Sequence, residues 1–210
     1  MHRVSLLDGT VSLKLDNGLL LHPYNGLSEL KHKYIRPISF EKLIRNGLVS
    51  ILDVGFGVGY LSALVLEEIW KANSSCVVRI VGVEKNSKVV LRLYESTLVV
   101  PSHEILKGVV GGVKHEKLSV DLRIDDITLM KLDDDEFDLI LYDLYPPSFC
   151  KEVWTKEVLS SLFFSLKSGG MLITHSADQM VRTNLLAVGF LWDETRAEGR
   201  LGAGTKAWKM

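Results

Sequence analysis

The chain has 210 residues, 47 % of them apolar, with a formal net charge of −1. That is enough to bury one sizeable core; it argues against disorder and against purely electrostatic nucleic-acid binding, while a local basic face remains compatible. The most apolar windows carry Asp53, Glu67 and Glu68, the first eight residues hold no apolar run, and the two cysteines, Cys76 and Cys150, stand far apart without metal-ligand spacing. The composition therefore predicts a cytoplasmic protein with no membrane span, no signal peptide and no metal site.

Two turn signals, Asp8-Gly9 and Asp16-Asn17-Gly18, flank Val11-Ser12-Leu13, and Leu19-Leu20-Leu21 follows the second. This predicts a short antiparallel hairpin closed by Tyr24-Asn25-Gly26. Ser28 to Asn46 carries helical spacing, broken near Pro37 and stopped by Asn46-Gly47. From Ile51 onward, apolar runs at 49–54, 77–83, 119–124, 137–142 and 170–174 alternate with helical stretches near 60–71, 87–98, 103–113 and 154–167. Strands rich in Val, Ile and Leu between helices predict a Rossmann-like α/β fold, a mostly parallel and doubly wound sheet. A short helix at 178–187 and two closing strands, around Phe190-Leu191-Trp192 and Lys206-Ala207-Trp208, complete the expected order. The expected organisation is an N-terminal hairpin and covering segment over 1–36 and a single globular domain over 37–210.

Residues 51 to 59 read Ile-Leu-Asp-Val-Gly-Phe-Gly-Val-Gly, an apolar strand entering Asp53 and then glycine at every second position: Gly55, Gly57 and Gly59. Three readings compete for this loop. A dinucleotide site wants Gly-x-Gly-x-x-Gly and positive partners for a pyrophosphate. A turn that only packs helix on strand has no need of three glycines and their entropic cost. S-adenosylmethionine carries no phosphate, and an acid at the loop entrance suits its ammonium end, directly or through water; this is the cofactor expected. Glu84 ends the second strand of the alternating pattern, where an acid holds ribose hydroxyls in both cofactor classes. Asp125-Asp126 follows the third strand; one of them, Asp126 before Asp125, either accepts from the adenine amino group or caps a turn. Asp143 ends the fourth strand and opens Asp143-Leu144-Tyr145-Pro146-Pro147 at the carboxyl end of the sheet, where ligands of open α/β sheets lie. The two prolines stiffen that rim and leave carbonyls without competing N–H groups.

With these residues in hand, the chain resembles the methyltransferase domain of the tRNA 5-methylaminomethyl-2-thiouridine biosynthesis proteins, over roughly residues 8 to 208. Asp8-Gly9-Thr10 is similar to that family's opening turn, and Asn25-Gly26-Leu27-Ser28-Glu29 to its Asn-Gly-Leu-x-Glu segment. Asp53 to Gly59 stands for an acid followed by Gly-Phe-Gly-x-Gly, so Phe56 belongs to the loop signature, and Val83-Glu84-Lys85 matches at the second strand. Asp143 to Pro147, Trp154-Thr155, Thr174-His175-Ser176-Ala177 and Val181-Arg182 continue the match. Two departures stand out: Phe149-Cys150-Lys151 replaces Lys-Asn-Pro, and His175 stands where an aromatic residue is usual.

The resemblance implies that Tyr24, Asn25 and Glu29 fold over the cofactor. It does not extend to the flavin-dependent oxidase domain of the fused proteins, and so implies methylation of a ready-made 5-aminomethyl group on the wobble uridine of tRNA. On that reading Asp143 orients the amine and accepts its proton, directly or through water, or alternatively binds only the cofactor's amino group. Tyr145 either stacks on the uracil or packs the loop. Cys150 has no basic neighbour at fixed spacing and reads as a small apolar residue rather than a nucleophile. Lys31, Lys33, Arg36, Lys42 and Arg45, or else Arg196, Arg200, Lys206 and Lys209, either form the phosphate rim of a transient, salt-sensitive tRNA complex or are solvated surface charge, the more frequent meaning of such clusters. An aminopropyltransferase of the spermidine synthase kind, a methyltransferase acting on another amine and a non-catalytic subunit of the same fold are the alternatives. The oligomeric state is left open.

Overall fold

Alternate residues of the central strand face opposite ways, and the two faces carry two separate apolar clusters. In β3 (Leu48–Val54), Ile51 joins one and Leu52 the other. The computed structural model describes residues 2–6, 9, 11–14, 26–96, 100–195 and 202–210. Seven strands form the main sheet in the order β5-β4-β3-β6-β7-β9-β8. They are β3, β4 (Val77–Val83), β5 (Leu118–Arg123), β6 (Phe137–Tyr142), β7 (Leu166–Thr174), β8 (Leu191–Glu194) and β9 (Thr205–Trp208). The pairs among β3 to β7 are parallel, and β9 lies antiparallel between β7 and β8. The expected mostly parallel α/β sheet is therefore present, with an antiparallel edge.

Helices cover both faces. On one side α3 (Tyr60–Ala72) and α5 (Pro101–Val110) share the cluster of Ile51, Leu64, Ile80 and Leu106. On the other, α6 (Lys156–Ser165) and α7 (Gln179–Ala187) share the cluster of Leu52, Ile140, Leu162 and Leu185. The stretch expected as a helix at 87–98 is only the short α4 (Ser87–Val90) and a 3₁₀ turn at Leu93–Glu95. The helix expected to reach 167 ends at Ser165, and the chain passes directly into β7. The β6–β7 register shifts between Phe137 and Leu139, where Gly169 takes φ 77°.

An N-terminal antiparallel hairpin is present. His2–Ser5 (β1) pairs with Val11–Lys14 (β2) around the Asp8-Gly9 signal, with Gly9 at φ 82°. The second signal was not the one that closes this pair, and Leu19 to Leu21 lie outside the described residues. Gly26–Leu30 (α1) runs into a π-turn at Lys31–Ile35, breaks at Pro37 as its fixed geometry predicts, and resumes as Phe40–Leu43 (α2). Leu13, Leu30, Tyr34 and Ile35 bury in the same cluster as Ile51 and Leu64, so this segment packs directly on the sheet. Among the described residues no helix is long and apolar enough to cross a membrane, and no group of His, Cys, Asp or Glu side chains is arranged to hold a metal ion.

Candidate active site

The loop after β3 is shaped by its backbone. Gly55, Gly57 and Gly59 have φ of 86°, 58° and 74°, a region that side-chain-bearing residues rarely adopt. A Cβ on Gly55 would collide with the backbone carbonyl of Asp143, so the β3 and β6 loops approach here as closely as glycine alone permits. The Gly55 and Phe56 N–H groups both donate to the Val83 carbonyl at 3.0 Å, and the Gly57 N–H donates to Glu84 Oε2 at 3.0 Å. The other Glu84 oxygen accepts from the Asn86 N–H at 2.8 Å. Glu84 thus clamps the glycine loop to the end of β4, and burial raises its pKa from its ordinary value, against the lowering effect of the Asn86 and Gly57 N–H groups.

Asp53 sits beneath the loop, 1 % exposed. Its Oδ2 accepts from Ser62 Oγ on α3 at 2.6 Å, while Oδ1 has no hydrogen-bond partner among the described residues. Burial pushes its pKa up to about 7, against the lowering effect of the Ser62 hydrogen bond.

Asp143, at the end of β6, is held from two directions. Tyr34 Oη donates to its Oδ1 at 2.6 Å, and His175 Nδ1 lies 3.1 Å from the same oxygen. Tyr34 Oη is also 3.1 Å from His175 Nδ1 and accepts the His175 N–H at 3.2 Å. Burial, reinforced by the Asp143 charge, raises the Tyr34 pKa well above that of an ordinary phenol, so the hydroxyl keeps its proton and donates. Tyr34 is presented by the π-turn, in which the Arg36 N–H reaches back to the Lys31 carbonyl; such irregular turns recur at functional sites. His175 follows the last residue of β7.

A cavity of about 440 Å³ opens over these ends of β3, β4, β6 and β7, within the usual range for small-molecule sites. Gly55, Glu84, Asp143, Tyr145, Tyr34, His175, Glu29 and Lys33 are on its wall. Glu29 and Lys33 are paired at 2.7 Å across one turn. Tyr145 has a buried hydroxyl with no partner among the described residues, and burial raises its pKa to about 12. Its carbonyl accepts from Trp154 Nε1 at 2.9 Å and from Cys150 Sγ at 3.0 Å. Burial raises the Cys150 pKa, which opposes a thiolate nucleophile.

Several expected residues stand elsewhere. The Phe56 ring is 2 % exposed and turned into the core, where a Cβ on Gly82 would meet its Cδ2 at 2.6 Å; it braces the loop from below instead of lining the cavity. Asp126 is engaged by Lys85 at 2.6 Å and by the Thr128 N–H at 3.0 Å and hydroxyl at 2.8 Å. Asp125 Oδ1 accepts from the Asp126 N–H at 2.7 Å. Both do what short acidic side chains do at strand ends, which is to satisfy turn donors, and neither is on the cavity wall. Tyr24 and Asn25 lie outside the described residues. Tyr34 carried no sequence signal, and Lys33 only that of a basic cluster. His175 carried one: a histidine directly after an apolar strand at the carboxyl edge of a parallel sheet.

A glycine loop entering a helix from a parallel strand, an acid at the next strand end and a cavity rich in carboxylates define the class of S-adenosylmethionine-dependent transferases. Residues 101–210 match the model of a family described as S-adenosyl-L-methionine-dependent methyltransferase, and the chain belongs to that family. It is 26 % identical over 208 residues to the tRNA 5-methylaminomethyl-2-thiouridine biosynthesis bifunctional protein MnmC of Leptospira interrogans, covering 90 % of this chain and 32 % of that protein. The chain thus spans about a third of the length of that curated relative. An uncharacterized protein of Methanocaldococcus jannaschii is 25 % identical over 214 residues, covering 96 % of this chain and 58 % of that one. Among solved structures, MNMC2 from Aquifex aeolicus superimposes with a TM-score of 0.86 at 28 % identity, covering 99 % of this chain and 70 % of that chain. Spermidine synthase from Thermotoga maritima gives 0.60 at 15 % identity over 95 % of this chain and 65 % of that one, a likeness of fold alone.

The chain is an S-adenosylmethionine-dependent methyltransferase, and the residues present fit that cofactor. Positive-φ glycines leave the loop backbone open to close approach, Glu84 lines the cavity at the end of β4 with acceptor oxygens suited to hydroxyl groups, and the buried Tyr145 hydroxyl has no partner among the described residues. The carboxylates of Glu84, Asp143 and Glu29, all lining the cavity, suit ammonium and sulfonium charges better than they would a phosphate.

Proposed function

We propose that this chain methylates the nitrogen of a 5-aminomethyl group on the wobble uridine of tRNA. The observation that carries the reading is the placement of Asp143, fixed by Tyr34 and His175 on the wall of the same cavity that the glycine loop and Glu84 enter. The relative from Leptospira interrogans, whose name refers to this modification, and the Aquifex aeolicus structure support it.

When bound, the cofactor would supply an electrophilic methyl on a sulfonium, open to an amine lone pair in line with the departing thioether sulfur. Gly55, Gly57 and Gly59 would admit the cofactor against the loop backbone, Glu84 would hold its ribose, and Asp53 would face its ammonium end through water. Asp143 receives the N–H of the incoming amine and sets its lone pair toward the methyl, a gain from alignment more than from bond polarisation. Leu144 to Pro147 form the adjoining rim, with Tyr145 beside the place where the uracil lies. Glu29 and Lys33 close the other side.

Docking of the anticodon region uses Lys31, Arg36, Lys42 and Arg45 around the helix that delivers Tyr34. Lys209 is poorly placed for it: bonded to Asp135 at 2.8 Å and to the Leu166 carbonyl at 2.6 Å, it stands at the amino end of β7, across the sheet from the cavity. The complex is transient and weakens with added salt; binding equally tight at low and high salt would remove this part of the reading. The main test is mass analysis of wobble nucleosides after incubation with S-adenosylmethionine and tRNA bearing the aminomethyl group. A gain of one methyl on that nucleoside is expected. Transfer of an aminopropyl group to putrescine, or of methyl only to other amines, would overturn it.

A further inference from the structure

We infer that His175, and not Asp143, is the base that takes the proton from the acceptor amine, with Asp143 holding the imidazole and Tyr34 positioning both. The inference rests on the amine-methylation reading and assigns a role within it to a cavity-wall residue at the end of β7.

An alkylammonium holds its proton far more tightly than a carboxylic acid does, so a carboxylate alone is a poor sink for it near neutrality. Imidazole is the side chain suited to exchange a proton between about pH 5 and 8. The geometry is that of a carboxylate–imidazole pair. Asp143 Oδ1 and Tyr34 Oη both lie 3.1 Å from His175 Nδ1, which commits that nitrogen to the protein. Nε2, on the far side of the ring, has no protein partner among the described residues, and His175 lines the cavity. Its side chain is 26 % exposed, which gives the proton a way out to solvent.

The groups that face the imidazole are Asp143 after β6 and Tyr34 on the π-turn; Glu29 and Lys33 on the same helical segment and Glu84 and Lys85 after β4 share the cavity wall. Tyr34 stays protonated through its burial, so its hydroxyl anchors Asp143 and does not compete for the proton.

The step balances. Nε2 takes one proton from the ammonium, leaving a neutral amine and an imidazolium beside the Asp143 carboxylate. The amine lone pair then forms the N–C bond as the S–C bond breaks, so the sulfonium becomes a neutral thioether and the product a secondary ammonium. The imidazolium returns its proton to water.

The test is the pH dependence of kcat on aminomethyl-bearing tRNA for the wild type, His175→Phe and His175→Asn, with cofactor binding by calorimetry and thermal unfolding as checks on folding. Near pH 7 both variants should lose about a hundredfold in kcat. The loss should shrink to within a few-fold at about pH 9, where the amine begins to deprotonate unaided. Added imidazole should restore part of the neutral-pH rate, and cofactor affinity should stay within about threefold. A folded variant whose pH profile runs parallel to that of the wild type, or one that imidazole does not rescue, overturns the assignment while leaving the amine reading standing. A wild-type chain that transfers no methyl to any amine overturns both.

Discussion

The two halves of the cavity are built by different means. On the proposed function, the cofactor half has Gly55 and Glu84 on its wall and is held by backbone, through the Val83 carbonyl and two N–H groups clamped by Glu84, from segments that follow one another along β3 and β4. The half proposed to take the acceptor is made of three side chains. Tyr34 is 109 residues from Asp143 and 141 from His175, and they meet only because the N-terminal helix packs across the carboxyl ends of β6 and β7. A backbone cradle tolerates almost no side chain but depends little on distant packing. A side-chain cluster is open to substitution, and so is where acceptor choice is free to change while the cofactor stays the same.

The harshest way to break the cofactor half is Gly55→Ala. It combines left-handed strain with a collision against the Asp143 carbonyl, and should weaken S-adenosylmethionine binding by more than about a thousandfold, read by calorimetry. Asp143→Asn tests the other half. It should lower kcat by about a hundredfold or more while cofactor affinity stays within about threefold. An equal loss in both would move Asp143 into the cofactor half and dissolve the contrast.

Asp53→Asn probes the seam between them through stability. The folded-state pKa of Asp53 is raised from 3.8 to about 7, so its contribution is fully present below pH 4 and is lost as pH rises through 7. Asparagine removes that loss. The variant should therefore be more stable than the wild type at pH 8 by about 2 kcal/mol, allowing for relaxation around the buried charge, and the gain should vanish near pH 4. Urea unfolding at the two pH values measures it; a constant difference would show that the carboxyl does not titrate in this window. The smallest effect is expected for Cys150→Ser. Serine keeps a donor for the Tyr145 carbonyl, and activity should stay within about threefold. A dead Cys150→Ser enzyme would replace amine methylation with attack through sulfur.

What was legible in the sequence follows the same division. The strand runs, the glycine loop, Glu84 and Asp143 were readable because each is a local pattern whose position on a parallel sheet is fixed by the fold class. Phe56 was readable as part of the loop signature but not as a core side chain, since the direction of the ring depends on the space left by Gly82. Asp125 and Asp126 were ambiguous because a short acid after a strand serves a turn or a ligand equally well; in the structure Asp126 is engaged by Lys85 and Thr128. The described hairpin uses the first of the two turn signals that flank β2.

The sequence by itself determined the sheet, its winding and the identity of the methyl donor. These rest on periodicity and on glycines whose backbone angles no other residue adopts as readily. Only the tertiary structure decided which side chains surround Asp143. Tyr34 and His175 belong to separate elements with no shared pattern, and the meeting of hydroxyl, carboxylate and imidazole at one oxygen is a property of packing.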